Sequence, residues 1–170
     1  QAAIAQVTGL RPEQVTIETL YAGGSFGRRA NPQSDYVIEC AEIVSRLAKM
    51  GTRGVPVKLV WTREDDMRAG YYRPAFLHTM RAGLDASGAI VGWQHRIVGQ
   101  SIADGTAFEK VLVKNGVDET SVEGASTLPY AIPAVAVDLH SPYGAVPVQW
   151  WRSVGSTHTA FSTETFLDEL

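Results

Sequence analysis

The clearest hydrophobic pattern in the chain is a two-residue alternation that runs through residues 76–84 and again through residues 91–97. Such a period places every second side chain on one face of a β-strand. Between the two runs, the sequence Asp-Ala-Ser-Gly at 85–88 is typical of a turn. The pattern therefore predicts a β-hairpin.

Apolar side chains recur at helical spacing in residues 35–50, with Ser34 or Asp35 at the N-cap and Gly51 where helices commonly end. Thr62 and Asp65 have the spacing of a capping box, which predicts a short helix through about residue 68. Two further helical patterns lie at the ends of the chain, at residues 1–7 and 161–170.

Further extended segments are predicted at residues 15–21, 57–61, 135–139 and 146–150. Residues 99–130 are rich in Gly, Ser, Thr, Asp and Glu, so we expect a long, partly mobile excursion there. Because strands and helices do not alternate regularly, the fold class expected is α+β, with a mixed sheet of about five or more strands and two main helices packed on it. A length of 170 residues is that of a single domain, residues 1–170.

The composition is that of an ordinary globular protein, with 45% hydrophobic residues, 19% charged residues and a net charge of −3. Because the basic residues are scattered, no nucleic-acid partner is expected, and the apolar runs are too short for a transmembrane segment. The single cysteine, Cys40, excludes an internal disulfide framework and is expected to pack in its helix. The chain begins inside a helical pattern and ends without a helix cap, as we expect of a piece cut from a longer protein. Localisation stays open.

Residues 23–29, Gly-Gly-Ser-Phe-Gly-Arg-Arg, form the first segment with candidate chemistry, which we call the glycine loop. Its glycines allow backbone conformations in which successive N–H groups point into one hollow, and its arginines add positive charge, so the segment favours an oxyanion. The alternative is a tight connection between elements, in which the glycines only relieve steric strain. The spacing matches neither a Walker loop nor a full Rossmann fingerprint.

Residues 150–158, Trp-Trp-Arg-Ser-Val-Gly-Ser-Thr-His, form the second such segment, the arginine loop. Arg152 lies where a helix is expected to begin, and its guanidinium could bind a carboxylate, a phosphate or a metal-oxo group through paired hydrogen bonds. Alternatively, the two tryptophans are core residues, and Arg152 stacks on them or pairs with a surface carboxylate. Together the two loops predict an anionic cofactor.

The remaining polar residues offer weaker signals. The histidines show no metal-ligand spacing, and His78 and His95 lie inside predicted strands, where structural roles are expected. His158 neighbours the arginine of the second loop, so a functional role stays open for it. The acidic run at 64–66 is expected on a solvated helix surface.

Several blocks of sequence carry a family resemblance: the two loops, Asp-Tyr-Val-Ile-Glu at 35–39, Val-Lys-Leu-Val-Trp-Thr-Arg-Glu-Asp-Asp at 57–66, Tyr-Arg-Pro at 72–74, Val-Glu-Gly-Ala at 122–125 and Leu-Pro-Tyr-Ala-Ile-Pro at 128–133. In this order and over nearly the whole chain, they resemble the molybdenum-binding large subunit of the xanthine dehydrogenase and aldehyde oxidase family. Within it, the branch most resembled is the isoquinoline 1-oxidoreductase beta subunit.

The resemblance implies a molybdenum ion on a pterin dithiolene, in the cytosine dinucleotide form often found in bacteria. It implies hydroxylation of aldehydes or N-heteroaromatic rings, with electrons leaving through a separate small iron–sulfur subunit. Phe26 and Gly27 would present backbone amides to the oxo ligand, and Arg152 would lie on the substrate side of the metal. The full set of implied cofactor-binding residues is Gly24, Ser25, Phe26, Gly27, Arg28 and Arg152.

The chain departs from the commoner family pattern at Ser25, where glycine is usual, and at Arg28-Arg29, where a glycine-lysine pair is usual. The family's catalytic glutamate belongs to a later domain, and neither Glu164 nor Glu169 matches it. We therefore expect no catalytic residue and no metal ligand in this chain, and no activity of the chain without the other domains of its large subunit. The alternatives are a non-catalytic module that binds an anion or nucleotide or assists assembly, and a purely structural domain.

Overall fold

A computed structural model describes residues 1–170, and the chain divides into two compact units. The first unit contains Gln1–Ser25 and Asn31–Gly70, and the second contains Phe26–Ala30 and Tyr71–Leu170. Helices dominate the first unit and a mixed sheet with one long helix dominates the second, which confirms the predicted α+β class. No helix combines the length and the apolar composition needed to cross a membrane.

The first unit is built from three helices: α1, Ala2–Thr8; α2, Asp35–Lys49; and α3, Arg63–Ala69. A single 3-10 turn, Pro12–Gln14, follows α1, and α1 packs against α2. The predicted capping box is present at α3, where the Asp65 amide donates to Thr62 Oγ1 at 3.2 Å and the Thr62 amide donates to Asp65 Oδ2 at 3.1 Å. The three helical segments predicted in this region are therefore confirmed.

Two strands expected in the first unit are absent. Residues 15–21 and 57–61 form no β-ladder, although in the second segment Val57, Leu59 and Trp61 are half-buried and Lys58 and Val60 are exposed. A period of two thus describes the burial of residues 57–61 correctly. A strand also requires hydrogen bonds to a neighbouring strand, and the first unit contains no paired strands. Trp61 is fixed instead by a hydrogen bond from its Nε1 to Glu39 Oε2 on α2, at 2.7 Å.

The second unit is centred on a three-stranded mixed sheet. Its strands are β1, Phe76–Leu84; β2, Ile90–Gly99; and β5, Val135–His140, in the order β1-β2-β5. The β1-β2 pair is the predicted antiparallel hairpin, and β5 runs parallel to β2. Helix α5, Ser156–Glu169, packs on β1.

The segment between β2 and β5 contributes to the core rather than forming only a loose excursion. It contains α4, Glu109–Leu112, and a minimal hairpin of β3, Val113–Lys114, and β4, Val117–Asp118. Ile97 of β2 is fully buried and packs with Val122 and Ala125 from this segment. The mixed sheet therefore has three strands, fewer than expected, because residues 15–21 and 57–61 form no strand; β3 and β4 pair only with each other.

Candidate cofactor site

The glycine loop and the arginine loop meet through their backbones in the second unit. The Arg152 amide nitrogen donates a hydrogen bond to the carbonyl oxygen of Phe26 at 2.7 Å. The two residues are 126 positions apart in the sequence (152 − 26), so the fold itself brings the loops together. Both side chains are exposed, which leaves them accessible to a bound group.

Gly27 is the residue that allows this close approach. Its φ is +98°, a left-handed conformation that side chains with a Cβ rarely adopt. A Cβ at this position would collide with the carbonyl oxygen of Trp150 and would lie 2.8 Å from the Cα of Trp151. The glycine is therefore required by contact between the loops as well as by the turn.

Backbone strain is concentrated at the same place. Five residues other than glycine have a positive φ, and three of them lie in the two loops: Phe26 at 51°, Ser153 at 69° and Val154 at 41°. Val154 is β-branched, so this conformation is especially unfavourable for it. Strained backbone persists where surrounding contacts enforce it, and it is common at functional sites.

Arg73, which the sequence offered only as part of the Tyr-Arg-Pro block, holds the arginine loop from the other side. Its Nη2 donates to the carbonyl oxygen of Arg152 at 3.0 Å, and its Nη1 donates to Thr157 Oγ1 in the first turn of α5 at 2.9 Å. One planar guanidinium thus fixes the loop and the helix that follows it. Nothing in the local sequence distinguished Arg73 from the other arginines.

Gln149 is a second residue that the sequence patterns did not indicate. Its side chain is buried, and its Nε2 donates to the carbonyl oxygens of Gly27 at 2.9 Å and Arg28 at 3.0 Å. The backbone of this segment is extended as predicted, with a single parallel bridge between Val148 and Tyr72. A lone glutamine before two tryptophans carries no recognisable motif, so only the tertiary structure identifies it.

The predicted site residues divide between the two units. Phe26, Gly27, Arg28 and Arg152 belong to the second unit, where the Arg28 guanidinium lies 5.6 Å from the centre of the Tyr71 ring. Gly24 and Ser25 belong to the first unit. The observed loop-to-loop contact therefore involves the Phe26–Arg28 end of the glycine loop.

A small cavity lies behind the arginine loop. Its volume is about 20 Å³, which is room for a water molecule and far too little for a cofactor. The Trp151 Nε1–H group is buried without a hydrogen-bond partner in the protein. This cavity therefore does not hold a cofactor. The residues that line the small cavity include Arg73, Phe76, Gln149, Trp151, Gly155 and His158.

Three of the four histidines form a hydrogen-bonded row, which we call the histidine row. His78 Nδ1 lies 2.7 Å from His95 Nε2, and His78 Nε2 lies 3.1 Å from His158 Nδ1. Burial lowers the pKa of His78, and burial followed by the charge of His78 lowers the pKa of His95 and His158 to about 4 each. These residues are therefore neutral at pH 7, and His158 also stacks on Phe76 with ring centres 3.7 Å apart.

Comparison with known protein families shows the family to which the chain belongs. The family model of the molybdopterin cofactor-binding domain matches residues 1–170. The chain belongs to this family. The resemblance found in the sequence blocks is thereby confirmed. The chain is also similar to proteins that are named as oxidoreductases.

Three relatives illustrate the kinds of enzyme to which the chain is similar. The domain is 25% identical to the isoquinoline 1-oxidoreductase subunit beta of Brevundimonas diminuta, over 100% of this chain and 21% of the relative. It is 30% identical to the membrane-bound aldehyde dehydrogenase [pyrroloquinoline-quinone] of Gluconacetobacter polyoxogenes, over 92% of this chain and 20% of the relative. It is 29% identical to a probable xanthine dehydrogenase subunit of Bacillus subtilis (strain 168), over 98% of this chain and 20% of the relative. The chain thus spans about a fifth of the length of these relatives.

Proposed function

We propose that this chain forms one wall of the molybdenum cofactor site in the large subunit of a molybdenum hydroxylase. The observation that carries the proposal is the 2.7 Å hydrogen bond from the Arg152 amide to the Phe26 carbonyl. It joins the two segments that the sequence indicated independently. The proposed cofactor-facing residues are Gly24, Ser25, Phe26, Gly27, Arg28 and Arg152.

The chemistry of these residues is compatible with such a group. The amide nitrogens of Phe26 and Gly27 donate to no acceptor in the protein, so they are available to oxygen atoms of a ligand. Arg152, whose own amide binds the Phe26 carbonyl, carries an exposed guanidinium that adds a delocalised positive charge to this region. Donors of this kind, fixed before the ligand arrives, stabilise negative charge with little reorganisation.

In the proposed enzyme, the bound cofactor supplies the two-electron oxidation that hydroxylates an aldehyde or an N-heteroaromatic substrate. The chain's own residues bind and orient: the glycine loop offers amide donors, and Arg152 binds or orients a polar group of the substrate or cofactor. General-base catalysis needs a group within hydrogen-bond reach of the transferred proton, and we assign that group to another domain. Alone, this chain is therefore proposed to be inactive.

The remaining parts of the proposal concern the wider enzyme. The cofactor is proposed in its cytosine dinucleotide form, and the partners are the other domains of the large subunit and a small iron–sulfur subunit. The names of two relatives, from Brevundimonas diminuta and Bacillus subtilis, describe each of them as one subunit of an enzyme. This agrees with an assembly of several chains.

The proposal is tested by replacing Arg152 with alanine in the holoenzyme that contains this chain. Removal of one fixed donor from a charge-stabilising site typically lowers turnover by about 10²-fold to 10³-fold, so we expect a loss of about 10²-fold in kcat/KM. Steady-state kinetics with an aldehyde and with an N-heterocycle measure it. Arg81→Ala is the matched control, since Arg81 is an exposed arginine on β1 outside both loops, and it should keep wild-type kinetics.

An unchanged kcat/KM in Arg152→Ala, with unchanged molybdenum content, would contradict the proposal and favour a purely structural domain. A non-catalytic anion-binding module makes a different prediction. In that case phosphate or a nucleotide would raise the thermal midpoint of this chain without molybdopterin, and Arg28→Ala would abolish the shift.

A further inference from the structure

Gln149 is a polar side chain in a place where polarity is costly. It is only 1% exposed, and an amide buried without hydrogen bonds is strongly unfavourable. Both hydrogens of its Nε2 group have acceptors, the carbonyl oxygens of Gly27 at 2.9 Å and Arg28 at 3.0 Å. An apolar residue of the same size would fill the space but leave those carbonyls without this donor.

The position of the Gln149 side chain is set by a fixed backbone. Its amide nitrogen donates to the Tyr72 carbonyl at 3.1 Å, and the Tyr72 amide nitrogen donates to the Pro147 carbonyl at 2.9 Å. These two bonds flank the Val148–Tyr72 bridge. The donor that reaches the glycine loop is therefore attached to backbone held by a single β-bridge rather than to a free loop.

Gln149 and Arg152 together hold three successive carbonyl groups of the glycine loop. Arg152 N binds the Phe26 carbonyl, and Gln149 Nε2 binds the next two. No peptide bond in the chain is cis, and in a trans peptide the N–H points opposite to the C=O. The amides that follow these carbonyls, at Gly27, Arg28 and Arg29, are consequently directed away from the Gln149 side-chain amide and the Arg152 backbone amide.

We propose that Gln149 is a positioning residue that sets the direction of the glycine-loop amides and so determines how firmly the cofactor is held. The inference rests on the proposed function, because the amides are taken to face the cofactor. Gln149 itself touches the carbonyl side of the loop, so its effect passes through Gly27 and Arg28. Residues that orient the groups contacting a metal site commonly change its affinity by about 10-fold to 100-fold.

The test is Gln149→Met in the holoenzyme, since methionine keeps the volume and removes the donor. The matched control is Gln100→Met: the Gln100 amide also donates to two loop carbonyls, Gly144 at 3.3 Å and Val146 at 3.1 Å, but contacts neither the glycine loop nor Arg152. Molybdenum per large subunit after gel filtration, kcat per bound molybdenum, and the thermal midpoint are measured for both. Gln149→Asn, which keeps the amide on a shorter arm, serves if the methionine variant does not fold.

We expect Gln149→Met to retain about tenfold less molybdenum than Gln100→Met at a comparable thermal midpoint, and Gln149→Asn to lie between it and the wild type. Wild-type molybdenum content in the folded Gln149 variants would overturn the inference. Equal losses in the Gln149 and Gln100 variants would also overturn it, since the effect would then be general destabilisation. Arg152→Ala in the same series separates the two proposals: if it impairs turnover while Gln149→Met keeps its molybdenum, only the role of Gln149 fails.

Discussion

At the scale of single residues, the site depends on a few positions where ordinary rules of backbone conformation are broken. Phe26 and Val154 have positive φ values, and Gly27 occupies a space that no Cβ could share with Trp150. These strains lie on both sides of the Arg152–Phe26 hydrogen bond. Contacts between the loops must therefore supply the free energy that keeps the backbone in this form.

A substitution at Gly27 tests this dependence. We expect Gly27→Ala to lower the free energy of unfolding by about 3 kcal/mol or more, because it adds a collision with Trp150 to the strain of a positive φ. The control is Gly88→Ala in the β1-β2 turn, where φ is +83° but nothing lies within 4 Å of the added Cβ. Gly88→Ala should cost only about 1 kcal/mol. Chemical denaturation of both variants measures the difference, and equal costs would mean that the Trp150 contact is unimportant.

At the scale of elements, the sequence predicted best the segments whose structure is decided locally. The β1-β2 hairpin and α2 were predicted close to their observed bounds, because period and capping residues lie within the segments themselves. Residues 15–21 and 57–61 were wrongly predicted as strands, since pairing depends on a neighbour that local sequence does not reveal. Gln149 and Arg73, which bind the two loops, were missed because their partners are distant in sequence.

The histidine row is another arrangement that becomes visible only when the strands and helix α5 are packed together. Residues 78 and 95 lie on neighbouring strands, and residue 158 lies on α5. Each of the two N···N contacts needs one N–H and one lone pair, so the row can carry at most one extra proton without losing a hydrogen bond. Nearby charges act in opposite directions, since Asp138 raises the pKa of His95 and Arg73 lowers that of His158.

The histidine row predicts acid sensitivity of the fold. The folded-state pKa values of His95 and His158, about 4, lie below the ordinary value of 6.5, so the unfolded state binds more protons between these limits. The free energy of unfolding should therefore fall as pH is lowered from about 6.5, because unfolding takes up about two protons at these groups. The fall should level off below about 4, where the folded state binds the same protons. Denaturation at several pH values measures the slope.

The control for this prediction is the fourth histidine, His140, which is exposed and lies outside the row. His95→Leu should flatten the pH dependence between 6.5 and 4, whereas His140→Gln should leave it as in the wild type. An unchanged slope in His95→Leu would show that the acid sensitivity comes from carboxylates elsewhere.

At the scale of the whole molecule, the chain exposes large apolar side chains. Tyr143 is 94% exposed, Phe161 is 72% exposed and Met50 is 80% exposed. Scattered apolar side chains are normal on protein surfaces, but the chain also spans only about a fifth of its relatives' length. In the proposed enzyme, further domains would cover some of these side chains and complete the cofactor site of which the two loops are proposed to form one wall.

The last prediction concerns the chain on its own. The glycine loop and Arg152 are proposed to form only one wall of the cofactor site, so most of the surface of a cofactor bound to this chain alone would remain in water. Small-molecule sites usually bury at least about 70% of the ligand surface, and a single wall cannot do this. We therefore expect the purified 170-residue chain to hold far less than stoichiometric molybdenum and to turn over no aldehyde, whereas the intact enzyme should do both. Metal analysis and activity assays on the two preparations measure this, and stoichiometric molybdenum with turnover in the isolated chain would mean that the second wall and the catalytic base both lie within these residues.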